Sequence, residues 1–165
     1  MIATGAPTAF DTLILVMRHA EKPADDADPH LAPAGAARAQ TLAAYIPTTF
    51  GDPDVILAAA VSTHSARPFE TVEPLAMACG VAVQTPFKDA EYAAQAHALR
   101  TDPARKGKRI VVCWHHGEIP ALMQALGAPR ASYPDPWDPT VFNLILKTNL
   151  AADGTVAVAQ IQEPF

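Results

Sequence analysis

Three short stretches carry the residues best suited to chemistry. The first is Arg18-His19-Ala20-Glu21, directly after the apolar run Leu13-Ile14-Leu15-Val16-Met17. The second is Ser62-Thr63-His64-Ser65-Ala66-Arg67, with Thr71 four residues past the arginine, and the third is His115-His116-Gly117-Glu118 after Arg109–Trp114. A planar guanidinium can hold two oxygens of a phosphoryl group at once and keeps its charge at any physiological pH. An imidazole that is neutral over much of that range is a usable nucleophile. During phosphoryl transfer, negative charge spreads over the equatorial oxygens, so catalysis is largely positioning plus electrostatic stabilisation. Arg18, Arg67, His19 and a second imidazole from His115 or His116 are the residue types such a cradle needs.

The elements around them would bring these stretches to one place. Leu13–Met17 is too short to span a membrane and suits a strand buried on both faces, which delivers Arg18 and His19 to the crevice at its carboxyl end. Val55–Val61 reads as a second such strand, running into the Ser62–Arg67 stretch, and Arg109–Trp114 as a third, running into the histidine pair. Pro23–His30 is an acidic, proline-flanked loop over the site. Ala36–Ile46 is an Ala-rich helix that Pro47 is expected to end, with Arg38 and Gln40 on its solvent side. A helix from Pro68 to Cys79 stops at Gly80 and should kink or shorten at Pro74. A strand over 81–85, a helix over 89–99 and a helix over 119–126 closed by Gly127 follow. Val141–Leu146 and Thr155–Ile161 flank the Asp153-Gly154 turn as an edge hairpin. This alternation predicts a three-layer α/β/α sandwich over residues 1–165, mostly parallel in its sheet, with a C-terminal antiparallel hairpin.

The motifs and their order resemble the histidine phosphatase superfamily, which includes phosphoglycerate mutases and small phosphohistidine phosphatases. Arg18-His19-Ala20-Glu21 resembles its first motif. Leu31-Ala32-Pro33-Ala34-Gly35, continued by Arg38-Ala39 and Leu42, resembles the opening of its first helix. Arg67 with Thr71 matches a spacing of the family, whereas His64 departs from its more usual proline or apolar residue. The resemblance implies a phosphoglycerate mutase-like fold, a covalent phosphohistidine on His19, phosphate contacts from Arg18 and Arg67, and a second histidine after the central strand. Counting to Ile119 makes that histidine His115, but Trp114 and Pro120 match a subgroup pattern that points to His116, which is the preferred reading with His115 as the alternative. The general acid is left open among Glu21, Asp89, Glu91 and Glu118. The large insertions of the mutase branch are absent, which favours a phosphatase acting on a phosphorylated small molecule or phosphoprotein. No cofactor and no metal is implied.

Composition narrows the remaining choices. The 165 residues are half hydrophobic and 18% charged, which excludes a disordered chain. A net charge of −5, with only 12 Lys and Arg, argues against nucleic-acid or anionic-membrane partners. No apolar run approaches the ~20 residues that cross a bilayer, and the first twelve residues lack the pattern of a secretory leader, so a cytoplasmic protein is expected. Cys79 and Cys113 are isolated and read as small buried hydrophobes.

Two further readings belong to other mechanisms. His19, His64, His115 and His116 could gather as metal ligands, although their spacing matches no known zinc pattern. A phosphate-binding member of the same fold without turnover, or mutase-type phosphoryl transfer, would use the same cradle.

Overall fold

Thr12–Arg18 forms β1, and all seven of its residues are buried. Its alternation splits the core in two. Ile14 and Val16 pack with one set of helices, while Leu13, Leu15 and Met17 pack with another. This is a strand covered on both faces, as a continuous apolar run demands. The computed structural model containing it describes residues 11–165, so the expectation about a leader falls almost wholly outside the described residues.

The chain continues through α1 (Pro33–Phe50), β2 (Val55–Ala58), α2 (Arg67–Cys79), β3 (Val83–Gln84), α3 (Tyr92–Thr101), β4 (Arg109–Trp114), α4 (Ile119–Leu126), β5 (Leu144–Leu150) and β6 (Val156–Gln162). The sheet order is β3-β2-β4-β1-β5-β6. β1 to β4 run parallel to one another, and the β5–β6 hairpin joins antiparallel to β1. Helices α1 and α2 cover one face over Leu42, Ile46, Val72 and Leu75. Helices α3 and α4 cover the other over Ala96, Leu99, Leu122 and Met123. The expected three-layer α/β/α sandwich with its C-terminal hairpin is the observed architecture.

Several boundaries differ from expectation. Helix α1 does not stop at Pro47 but runs one turn further, to Phe50. A proline removes one donor and already has a helical φ, and here the last turn is held by the Gly51 N–H donating to the Pro47 carbonyl and by the Tyr45 ring meeting Phe50 edge-on. Helix α2 runs through Pro74 to Cys79, and Gly80, with its left-handed φ of 68°, is the stop expected there. Strands β2 and β3 are shorter than predicted, and β5 begins three residues later. The predicted helix over 89–99 is a 3₁₀ turn, Asp89–Glu91, that leads into α3.

Arg38 is not a solvent-facing residue. Its Nε donates to Glu21 at 2.8 Å and its Nη1 to Glu163 at 2.9 Å, joining α1 to the first motif and to the chain beyond β6. Helical periodicity alone could not reveal this, because both acceptors come from distant parts of the chain.

Candidate active site

The site forms where the strand order reverses, at the carboxyl ends of the adjacent strands β1 and β4. These strands pair with Arg18 opposite Trp114, and the His19 N–H donates to the Trp114 carbonyl at 3.1 Å. The residues that follow on each strand, His19 and His115, are therefore side by side. Their rings meet edge to face, with centroids 5.2 Å apart and planes at 70°.

His19 is held by its own backbone. Nδ1–H donates to the Ala20 carbonyl at 2.7 Å, which leaves Nε2 with a free lone pair. Burial lowers its pKa to about 3, assisted by the charges of Arg18 and Arg67 and by His115, and opposed by the Ala20 bond. His115 is lowered to about 4 by burial and by the same arginines and His116. Both imidazoles are neutral near pH 7.

The two arginines come from different elements and are anchored alike. Arg18 donates through Nη1 to the Pro139 carbonyl at 2.6 Å and lies 3.8 Å over the Phe142 ring. Arg67, in the first turn of α2, donates through Nη1 to the Asp28 carbonyl at 2.6 Å, so the 23–30 loop braces it. Both Nε–H groups are buried without an acceptor among the described residues. Burial and the facing Arg67 lower the Arg18 pKa to about 10, against the pull of Glu21. Two buried cations that repel one another, each with a spare donor, have the chemistry to hold an anion with several oxygens.

Beneath them, the Thr71 hydroxyl accepts from the Ala20 N–H at 2.9 Å and donates to the Arg67 carbonyl at 2.8 Å. Gly35 packs on the same segment from α1: a Cβ there would lie 2.9 Å from the Glu21 nitrogen and closer still to its carbonyl oxygen. The glycine of the Leu31–Gly35 phrase is thus required by close approach.

The candidate acids separate by environment. Glu21 is paired with Arg38, and Glu91 accepts from the Lys88 N–H at 2.8 Å as a turn cap. Glu118 lies at the start of α4, partly exposed. Asp89 is half-buried, and its pKa is raised to about 6 by burial and by Glu118, while the His115 N–H pulls the other way. Its Oδ1 is buried without a partner among the described residues, and its carbonyl is fixed by the Trp114 Nε1–H at 3.0 Å.

Of the residues singled out from sequence, Arg18, His19, Arg67 and His115 converge. His116 is partly buried, its pKa lowered by burial and by Arg18 and Lys22. Among the described residues, the rings meeting His19 are those of His115 and Phe142. His64 is exposed in a turn, its N–H on Ser62 Oγ. Phe142 escaped the sequence reading, since a lone aromatic before a strand carries no signal of the arginine above it. Cys113 is fully buried and its thiol pKa is pushed up by that burial, as for an inert core residue. Among the described residues, no group of three or more His, Cys, Asp and Glu side chains is arranged to hold a metal ion.

No family model and no curated protein matches the sequence. Solved structures do resemble the fold over nearly the whole chain. The protein histidine phosphatase SixA complexed with tungstate superposes with a TM-score of 0.63 at 17% identity, covering 91% of this chain and 96% of that one. Phosphoglycerate mutase from Plasmodium falciparum gives 0.63 at 14%, covering 92% and 91%. The mycobacterial glucosyl-3-phosphoglycerate phosphatase Rv2419c with inorganic phosphate gives 0.60 at 14%, covering 93% and 97%. At these identities the likeness is one of fold, and the chain adopts the phosphoglycerate mutase-like fold common to these phosphatases and the mutase.

Proposed function

We propose that the protein is a histidine phosphatase that hydrolyses phosphomonoesters or related phosphoryl compounds through a phosphohistidine on His19, with no metal required. The observation that carries this reading is the convergence of Arg18, Arg67 and His115 around a neutral His19 whose Nδ1 is already committed to the Ala20 carbonyl. Two of the similar structures are described with tungstate or phosphate, tetrahedral oxyanions of the kind this cradle suits.

In the first step Nε2 of His19 attacks phosphorus and the bond to the leaving oxygen breaks. Arg18, Arg67 and His115 stabilise the charge on the equatorial oxygens. Asp89 supplies the proton to the leaving oxygen, a role supported by its raised pKa and its place beside His115. In the second step water attacks phosphorus, the P–N bond breaks, Asp89 takes the proton of the water, and phosphate leaves a neutral His19. His116 is assigned to the rim of the pocket.

The protein is further read as a single catalytic domain, working in the cytoplasm on a phosphorylated small molecule or phosphoprotein, without nucleic-acid or membrane partners. No helix of the described residues is long and apolar enough to cross a membrane.

The test is a phosphoester panel followed by acid quench. Turnover with an acid-labile, base-stable label, both lost in His19→Ala and neither changed by a chelator, is expected. Full turnover in His19→Ala would sink the proposal, and binding without phosphate release would favour a non-catalytic phosphate-binding protein.

A further inference from the structure

From the hydrogen bonds of Thr71 we infer that this threonine is a positioning residue for the nucleophile, a hydroxyl clamp that fixes the backbone on which the His19 tautomer depends. The inference rests on the proposed role of His19 and adds a residue to it.

The reacting nitrogen of His19 is selected indirectly. Nε2 is free only while Nδ1–H stays on the Ala20 carbonyl, so the conformation of Ala20 sets the tautomer. Ala20 is fully buried and is gripped from two helices. On its amino side, its N–H donates to Thr71 Oγ1 at 2.9 Å. On its carboxyl side, the Glu21 backbone lies against Gly35, and the Glu21 carbonyl accepts from the Ala32 N–H at 2.9 Å. With both flanking peptides fixed, the Ala20 carbonyl has one direction.

Thr71 is suited to this by its full burial and by the use of its one proton. That proton goes to the Arg67 carbonyl at 2.8 Å, so the oxygen lone pairs face the Ala20 N–H. The same hydroxyl thereby ties the backbone of Arg67 to that of the nucleophile loop. Valine has the shape of threonine but would leave the buried Ala20 N–H without an acceptor. A purely structural threonine would change stability. This one should also change which ring nitrogen of His19 carries the proton.

The experiment compares Thr71→Val, Thr71→Ser and the control Thr41→Val in the intact chain. Thr41 makes the same bond to the carbonyl four residues back in α1 at 3.1 Å, but on an exposed face. The readouts are kcat and KM for a phosphoester and the ¹⁵N shifts of the His19 ring without substrate. Expected are a kcat reduced about 30-fold or more with KM within about twofold for Thr71→Val, and a His19 spectrum in which the Nε2–H tautomer appears. Thr71→Ser should keep the parent spectrum and a kcat within about threefold, and Thr41→Val should match the parent.

Parent-like kcat or an unchanged His19 spectrum in folded Thr71→Val would overturn the clamp. If valine prevents folding, the serine variant decides, because loss of the Nδ1–H signature with the hydroxyl still present would overturn it as well. A parent protein without turnover on any phosphoester would refute the proposed function alone, and the ring spectra would still test the clamp.

Discussion

His19 and His115 lie ring against ring because Arg18 pairs with Trp114 across β1 and β4, which puts the next residue of each strand at the same level. Consecutive side chains of a strand point to opposite faces. A register shifted by one residue would bring His116 to this place instead. His115→Asn should therefore lower turnover by about 100-fold and His116→Asn by about tenfold or less. Steady-state kinetics of the two variants decides it, and the reverse order would reassign the second imidazole.

The arginines make a separate prediction about binding. Arg67→Ala should weaken competitive inhibition by vanadate about 100-fold, equivalent to about 3 kcal/mol of charge-assisted hydrogen bonding. Arg67→Lys should recover only part of it, since one ammonium cannot reproduce the fork of a guanidinium. An unchanged inhibition constant in Arg67→Ala would remove this residue from the cradle.

Rate should depend on pH through Asp89. His19, held at about 3, stays neutral above pH 4, while Asp89, raised to about 6, keeps its proton only below that value. For a substrate with a basic leaving oxygen, kcat/KM should fall about tenfold per pH unit above pH 6. In Asp89→Asn this limb should vanish, with a low, flat profile. A substrate whose leaving group is a stable anion should lose much less. An unaltered limb in Asp89→Asn would assign it to another group.

Stability should respond to pH through Glu163. Burial raises its pKa from 4.5 to about 7, against the hydrogen bond and charge of Arg38, while the nearby Glu21 adds to the rise. A raised carboxyl pKa means that the folded state holds the proton more tightly than the unfolded one. The stabilisation is complete below pH 4.5 and is lost as pH climbs through 7. Thermal melts from pH 4.5 to 8 should show this decline in the parent and a shallower one in Glu163→Gln. Parallel curves would refute it.

Gly35 offers a steric test. Because a Cβ would press into the Glu21 backbone, Gly35→Ala should cost about 3 kcal/mol, visible in urea melts. A loss within about 0.5 kcal/mol, the scale of an ordinary surface substitution, would show that the helix can step back.

Much of this was legible in the sequence. Apolar runs that end in Arg-His or His-His marked the buried strands and the edge where their polar ends collect. Gly80 and Gly127 marked helix stops correctly, because a left-handed backbone position is a local demand. Pro47 misled, because the loss of one backbone donor is local while the packing that carries a helix past it is not.

What the sequence determined by itself is the inventory: which strands are buried on both faces, and which cations and imidazoles stand at their ends. Tertiary structure alone decided which of them meet. Strand register set the His115 ring against His19, Arg38 and the Lys88 N–H engaged Glu21 and Glu91, Asp89 was left half-buried, and distant carboxylates drew Arg38 inward. Each of these depends on groups far apart in the chain, and a pattern read along one segment holds no record of the neighbour that folding will supply.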